Sequence, residues 1–217
     1  MNFWIRWNLS TLLKNLKALV CQINAVPCLI SGGWLLISNV VIDGSSPFQL
    51  SLETSYRGIG VYDNNKTFLT DSAMFELRTH LSFTQLRFHC SKQLGRTFHV
   101  TTVTNSAGEA VVQYFSGQTG VQPDACGSFA KMDDDDSLMA GLCHDWGANG
   151  WASPPQNSVF KIGKWGPPYK SQGRLSDHSA FVINLYHWFL YHNDSRFECD
   201  DHNVGVSSGD FWKVFVR

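Results

Sequence analysis

Four consecutive aspartates, Asp133 to Asp136, form the stretch of this sequence whose residue types point most directly to chemistry. Hard cations such as Ca²⁺ bind several carboxylate and carbonyl oxygens, so the run predicts a calcium site made of Asp133, Asp134, Asp135 and Asp136. The run also fits a solvated acidic turn in which Asp136 is the N-cap of a short helix over residues 137–142. Both interpretations stay open at the level of sequence.

Two cysteines bracket the aspartates, and a bond between them would close a loop of about 18 residues and help to keep repelling carboxylates together. The chain has six cysteines and no Cys-x-x-Cys spacing of the kind found in zinc knuckles and redox motifs, which favours disulfides formed in an oxidising compartment. From the even count and the strand pattern we predict two bonds and a remaining pair that is free or bonded to itself: Cys126–Cys143, Cys90–Cys199, and Cys21 with Cys28. The second bond would bring a further acidic group, residues 198–201, towards the aspartates.

Other features of the sequence agree with secretion. Asn65 and Asn193 lie in Asn-x-Ser/Thr sequons and are predicted to carry glycans. The formal net charge of −1 gives no indication of nucleic acid or of an anionic membrane as a partner. No run of residues is long and apolar enough to predict a membrane span. We therefore expect an extracellular chain.

The stretch after the aspartates is rich in tryptophan, glycine and proline, and it includes Trp146, Trp151 and Trp165. Exposed aromatic rings beside polar groups are typical of carbohydrate and peptide sites, so these three residues are candidate ligand-binding residues. The alternative is that the rings pack inward and stabilise a long loop.

Enzymatic chemistry has weak support in the sequence. Residues 205–209 match the Gly-x-Ser-x-Gly nucleophile elbow by letter, but a strand follows them and no Asp and His come after in the required order. His187 and His192 are five residues apart, which does not place them on one helix face as a metal-binding pair. We therefore predict that the chain is not an enzyme.

The periodicity of apolar residues predicts an α+β fold, with mostly antiparallel sheet, a few short helices and long surface loops. Residues 1–31 are assigned to a separate N-terminal segment, either weakly similar to a secretory signal or a wrongly assigned start. Residues 32–217 are assigned to one domain. Within it we predict strands over 34–42, 85–91 and 211–217, a helix that is capped by Asp71 or Ser72 and runs through about Leu81, and a loop over 44–67. We also predict a hairpin over 96–104 and 109–115, and an apolar strand or helix over 180–192.

The motif Gly32-Gly33-Trp34 resembles the signature of fibrinogen-related domains and intelectin-like lectins. Four further stretches are similar to secreted coral and sea-anemone proteins that include uncharacterised skeletal organic matrix proteins: 55–58, 86–90, 114–119 and 208–217. The resemblance covers residues 32–217.

What the resemblance implies is a fibrinogen C-terminal-like fold, here without the first strands of its relatives, in an extracellular, non-enzymatic domain. Such a domain would bind a carbohydrate or an extracellular matrix protein, often with calcium. The rival expectation is a structural matrix protein whose acidic loop contacts mineral or other matrix proteins.

Overall fold

A computed structural model of the chain describes residues 33–45, 48–146, 174–175, 181–183, 185–191 and 196–217. Two β-sheets and two α-helices make up this part of the fold, and three short 3₁₀ helices connect them. The strands are β1 (Leu35–Val41), β2 (Ser51–Glu53), β3 (Lys66–Leu69), β4 (Leu86–Ser91), β5 (Thr97–Thr102), β6 (Phe129–Lys131), β7 (Phe181–Ile183), β8 (Tyr186–Tyr191), β9 (Arg196–Asp201) and β10 (Phe211–Val216). The helices are α1 (Asp71–Leu81) and α2 (Ser106–Phe115), with 3₁₀ helices over Tyr56–Asn64, Met139–Gly141 and Cys143–Asp145.

The larger sheet has seven strands in the order β2-β3-β1-β10-β4-β5-β6. Every pairing in it is antiparallel except that between β2 and β3. Because side chains alternate along a strand, β10 buries Trp212, Val214 and Val216 and turns its other residues to the opposite, outer face. A mixed fold consisting mainly of antiparallel sheet, as predicted, is confirmed.

The smaller sheet, β7-β8-β9, packs against the inner face of the larger one. The ring of Phe181 on β7 is fully buried, with centroids 5.0 Å from Phe88 and 4.9 Å from Phe98. The contact with Phe88 is edge-to-face and the contact with Phe98 is tilted, and such aromatic pairs stabilise the fold beyond the burial of the rings alone. A disulfide between Cys90 on β4 and Cys199 on β9 also joins the two sheets covalently.

Helix α1 forms nearly where the sequence predicts it. Its N-cap is Thr70, one residue before the predicted Asp71, and the Thr70 hydroxyl accepts a hydrogen bond from the backbone N–H of Ala73. Ala73, Met74 and Leu77 make the buried face, at the spacing that a helix requires. Ser82 ends the helix in the left-handed conformation.

The predicted hairpin over 96–104 and 109–115 is wrong in its second half, which forms helix α2. Asn105 is the N-cap, and its Oδ1 accepts hydrogen bonds from the backbone N–H groups of Ala107 and Gly108. The buried positions of α2 include 108, 111, 112 and 115, which is helical spacing. Gly108 is required because a Cβ there would lie 1.9 Å from the carbonyl oxygen of Val103.

Elsewhere the strands over 34–42, 85–91 and 211–217 are confirmed to within one or two residues. The predicted loop over 44–67 is wrong in part, since it contains β2, the 3₁₀ helix Tyr56–Asn64 and the start of β3. The ambiguous apolar stretch 180–192 contains the antiparallel strands β7 and β8. Within the described ranges, neither α-helix has the length and apolar character that crossing a bilayer requires.

Candidate functional site

The aspartate run follows β6, and each of its carboxylates has different surroundings. Asp135 is the buried member, with a side chain that is 0% exposed. It accepts hydrogen bonds from the backbone N–H of His99 at 2.7 Å and from the Ser137 hydroxyl at 3.0 Å, and Lys131 Nζ lies 2.9 Å from its Oδ1. Asp133, by contrast, is exposed. The interpretation of the whole run as a solvated turn is therefore wrong for Asp135.

Asp136 is not the N-cap of a helix over 137–142. Its Oδ1 instead accepts a hydrogen bond from the backbone N–H of Thr97 at 2.6 Å, which ties the loop to β5. Within residues 137–142 the chain makes only the 3₁₀ turn Met139–Gly141. The predicted cap is therefore wrong, because a neighbouring strand supplies the donor to this carboxylate.

The cap of that turn comes from Asp200 on β9, whose side chain is 0% exposed. Its two carboxylate oxygens accept hydrogen bonds from the backbone N–H groups of Leu138 at 2.9 Å and Met139 at 2.7 Å. The Arg96 guanidinium also bonds to Asp200, through Nε to the carboxylate and through Nη2 to the backbone carbonyl. The acidic residues 198–201 therefore lie beside the aspartate loop, as the sequence suggested. The contact runs from the Asp200 carboxylate to backbone N–H groups of the loop.

Calcium binding by Asp133, Asp134, Asp135 and Asp136 remains a prediction. Three of the four carboxylates accept hydrogen bonds from protein groups, and the four do not converge on one point. Within the described ranges, two other groups of three side chains bring potential ligand atoms to within 4.8 Å of one another. These groups are His89–His99–Asp134 and His187–Glu198–His202.

Trp146 is not a platform for a ligand, so this part of the prediction is wrong. The residue is 2% exposed, its indole Nε1 donates to the carbonyl oxygen of Met139 at 2.8 Å, and its ring packs against Phe129 and Phe181. The Cys126–Cys143 disulfide, predicted correctly, closes the same segment with its Cα atoms 5.1 Å apart. Two of the three candidate tryptophans, Trp151 and Trp165, lie outside the described residues.

Of the two predicted glycosylation sites, Asn65 is exposed at the start of β3, in the left-handed conformation. Its Oδ1 accepts a hydrogen bond from Asn39 Nδ2 at 2.9 Å. Glycosylation remains a prediction. Asn193, like Cys21 and Cys28, lies outside the described residues.

A pair of stacked histidines lies on the outer face of the larger sheet. His89 on β4 and His99 on β5 are directly opposite in register, with ring centroids 3.7 Å apart and an interplanar angle of 4°. Asp134 spans their edges, with Oδ1 2.5 Å from His99 Nδ1 and Oδ2 3.7 Å from His89 Nε2. This pair was not predicted from the sequence. The only signal was that each histidine follows a buried phenylalanine in an alternating strand.

The surroundings of these histidines favour the neutral imidazole. The pKa of His89 falls from its ordinary value of 6.5 to about 3, chiefly because the ring is buried and secondly because His99, Arg87 and Lys213 are close. Burial also lowers the pKa of His99, although Asp134 acts in the opposite direction. Both rings are therefore uncharged near neutral pH.

We expect this pair to make the folded state sensitive to mild acid. An unfolded chain binds a proton at His89 below pH 6.5, whereas the folded chain does so only near pH 3, so stability is lost as the pH falls through that window. Between pH 7 and pH 5 the loss should be about 1–2 kcal/mol. The change is measured by urea unfolding at the two pH values.

The control for this prediction is His89→Gln, which removes the titrating group and should make the difference between pH 7 and pH 5 smaller. Carboxylates with lowered pKa values, such as Asp134 and Glu198, lose their contribution only at lower pH. Equal free energies of unfolding at pH 7 and pH 5 in the wild-type chain would contradict the prediction.

Next to the histidines, three cations make up what we call the cationic face: Arg87, Lys213 and Arg217. The Arg87 guanidinium lies over the rings of Trp34 and Phe215, 5.0 Å and 4.5 Å from their centroids. Arg217 also lies over Trp34, at 4.7 Å. Lys213 lies over the Phe211 ring at 4.8 Å, and burial lowers its pKa.

No carboxylate of the described residues comes within salt-bridge distance of these three cations. The Nε of Arg87 is buried without a hydrogen-bond partner from the described part of the chain. Strand register places the cations together, since Arg87 pairs with Phe215 and Lys213 pairs with His89. Arg217 Nε and Nη2 donate to Gln85 Oε1, a neutral acceptor. The face therefore carries positive charge that no carboxylate of the described residues neutralises at salt-bridge distance, and this charge can attract an anion.

Comparison of the chain with family models, with curated proteins and with solved structures gives no match in any of the three.

Proposed function

We propose that this chain is an extracellular recognition domain of the fibrinogen-related, intelectin-like type, and that it binds an acidic polysaccharide on the cationic face. The single observation that carries the ligand class is the group of three cations on one sheet face without a carboxylate partner. One disulfide between the two sheets and another that closes the segment 126–143 support an oxidising, extracellular location.

Charge and shape together favour a sulfate or carboxylate group on a sugar. Guanidinium groups bind such anions through two parallel hydrogen bonds, and an ammonium group adds a compact positive charge. The half-buried rings of Phe211 and Phe215 lie against Lys213 and Arg87 and help to hold these cations in place on the face. The net charge of the chain, −1, argues against general polyanion binding, which an overall positive charge favours.

Neutral histidines fit this use of the face. Uncharged His89 offers a ring nitrogen at the border of the patch without adding a desolvated charge. Asp134 lies at the same border and is 58% exposed. Since its carboxylate repels anions, it would exclude ligands whose charges extend past the histidines, and so would limit the site to Arg87, Lys213 and Arg217.

The test is binding of heparin, as a sulfated probe, and of neutral dextran, measured by calorimetry at low and high salt. Wild-type protein should bind heparin and not dextran, and the affinity should fall with salt. Replacing two cations in Lys213→Gln/Arg217→Gln should weaken heparin binding by at least about tenfold, since each charged hydrogen bond contributes about 1.5–3 kcal/mol. The matched control is Arg57→Gln/Lys66→Gln, which removes the same charge elsewhere on the surface.

Equal weakening by the two double variants would contradict a defined site, and absence of heparin binding would overturn the proposal. Repeating the titration with calcium and then with a chelator tests whether the aspartate loop makes binding calcium-dependent. The structural matrix alternative rests on the exposure of Asp133 and Asp134. Adsorption to calcium carbonate that persists in Lys213→Gln/Arg217→Gln, with no glycan binding by wild type, would favour it.

A further inference from the structure

We propose that His187, Glu198 and His202 form a binding site for a zinc ion in the smaller sheet. The three side chains come from β8, from β9 and from the turn after β9. Glu198 is 0% exposed and His187 is 8% exposed, while the side chain of His202 is 30% exposed. This group is separate from the cationic face and does not depend on the function proposed for it.

The ligand atoms already have spacings close to those that zinc requires. His187 Nδ1 and His202 Nδ1 are 3.3 Å apart. Glu198 Oε2 lies 2.7 Å from His187 Nδ1, and Oε1 lies 3.7 Å from His202 Nδ1. With Zn–N and Zn–O bonds of about 2.0–2.1 Å, tetrahedral geometry separates ligand atoms by about 3.3 Å. The two nitrogens already have this spacing, and the ligand atoms of all three side chains lie within 4.8 Å of one another, so small shifts of the side chains bring one atom of each onto one ion.

Two irregularities of the backbone, a register shift and two residues with positive φ, orient these side chains. The register of β8 and β9 shifts between His187 and Trp188, so that Trp188 stays in the core while His187 faces the carboxylate. Asp200 and Asn203 have positive φ values of 52° and 54°, which turn the chain back and bring His202 over Glu198. Both residue types tolerate that conformation better than most.

One oxygen of the carboxylate is held in place by other groups. Glu198 Oε1 accepts hydrogen bonds from Arg196 Nε and from the backbone N–H of Asn203, each at 2.7 Å. Burial by itself would raise the pKa of Glu198, but the bonds from His187, Asn203 and Arg196 outweigh it and lower the pKa. Oxygens fixed in this way orient the other oxygen of a metal-binding carboxylate. Oε2 is then the atom that binds the ion.

The donor set selects the class of metal. Two imidazole nitrogens and one carboxylate suit zinc, whereas calcium prefers oxygen ligands only. The partial exposure of His202 lets water complete the coordination. Zinc at His187 Nδ1 replaces the hydrogen bond between that nitrogen and Glu198, and the ring binds as the tautomer that carries its proton on Nε2. Arg196 Nη2, which lies 3.2 Å from His202 Nδ1, moves away from that nitrogen.

The experiment is a zinc titration by calorimetry on full-length protein that has been dialysed against a chelator and then into chelator-free buffer. We expect one ion per chain, an affinity that falls as the pH falls, and no competition from millimolar calcium. Loss of a residue that only supports a metal ligand typically weakens metal binding by about tenfold or more. His202→Gln removes a ligand itself and should therefore weaken zinc binding by more than about tenfold. Because His202 is partly exposed, this variant should fold, which thermal melting without zinc checks.

His89→Gln and His144→Gln are the matched controls. The first alters the other histidine–aspartate group, and the second alters a histidine that is 62% exposed and lies away from both groups. Both should bind zinc as tightly as the wild-type chain does. Absence of zinc binding by wild type would overturn the site, and so would loss of binding in His89→Gln with retention in His202→Gln.

Discussion

Replacing Asp200 with alanine is expected to lower the free energy of unfolding by about 3–5 kcal/mol, as for other buried charge pairs that lose one partner. The substitution leaves the Arg96 guanidinium and the backbone N–H groups of Leu138 and Met139 without their acceptor. It also places alanine at a φ of 52°, where a side chain without local hydrogen bonds is strained. The aspartate loop would then lose its main attachment to β9.

Urea unfolding followed by tryptophan fluorescence measures this change. Asp200→Asn should cost less, because asparagine tolerates the positive φ and keeps one acceptor oxygen. Asp133→Ala is the control within the loop, since Asp133 is exposed, and it should change stability by less than about 0.5 kcal/mol. Similar losses in Asp133→Ala and Asp200→Ala would show that the loop is not held in the way described.

Removing the Cys90–Cys199 disulfide in the double variant Cys90→Ala/Cys199→Ala is expected to cost about 4–5 kcal/mol. The bond links residues 109 positions apart, and the loss of chain entropy on closing a loop of about 100 residues gives a value of that size. Both sulfur atoms also lie in the core between the two sheets, so the double variant loses packing as well. Equilibrium unfolding without a reducing agent measures the effect.

The matched comparison is Cys126→Ala/Cys143→Ala, which opens a loop with a sequence separation of only 17. The same relation gives about 3 kcal/mol for a loop of that length. This segment is nearer the surface, and Asp200 also holds it, so the measured loss should be the smaller of the two. A larger loss from opening the short loop than from opening the long one would contradict the prediction.

Local patterns in the sequence were sufficient for several parts of the fold. Strand β4 could be predicted because Leu86, Phe88 and Cys90 alternate with polar residues, and one face of a strand in a sheet is buried. Helix α1 could be predicted because its apolar spacing and its capping residues indicate the same element. The disulfide pairing was predicted from the even number of cysteines and the strand pattern.

Helix α2 shows where such patterns fail. Residues 109–115 include several residue types that also suit strands. The helix forms because Asn105 caps it and because Gly108 allows the chain to pass close to Val103. Trp146 likewise had the composition of a ligand platform, but its burial against Phe181 depends on a strand far along the chain. Neither neighbour can be inferred from local sequence.

The sequence by itself determined the class of fold and the positions of several strands, because these depend on periodicity. Two of the predicted disulfides, Cys90–Cys199 and Cys126–Cys143, are confirmed, although a count of cysteines does not fix their pairing. Only the tertiary structure decided which polar residues act together. Strand register placed His89 against His99, and the shift in register between β8 and β9 placed His187 against Glu198. A run of aspartates is visible in any sequence, but its hydrogen-bond donors come from β5 and its neighbouring cap from β9. Groups that lie far apart in the chain meet through packing of the whole domain, which is why candidate ligand atoms could be identified only in the folded molecule.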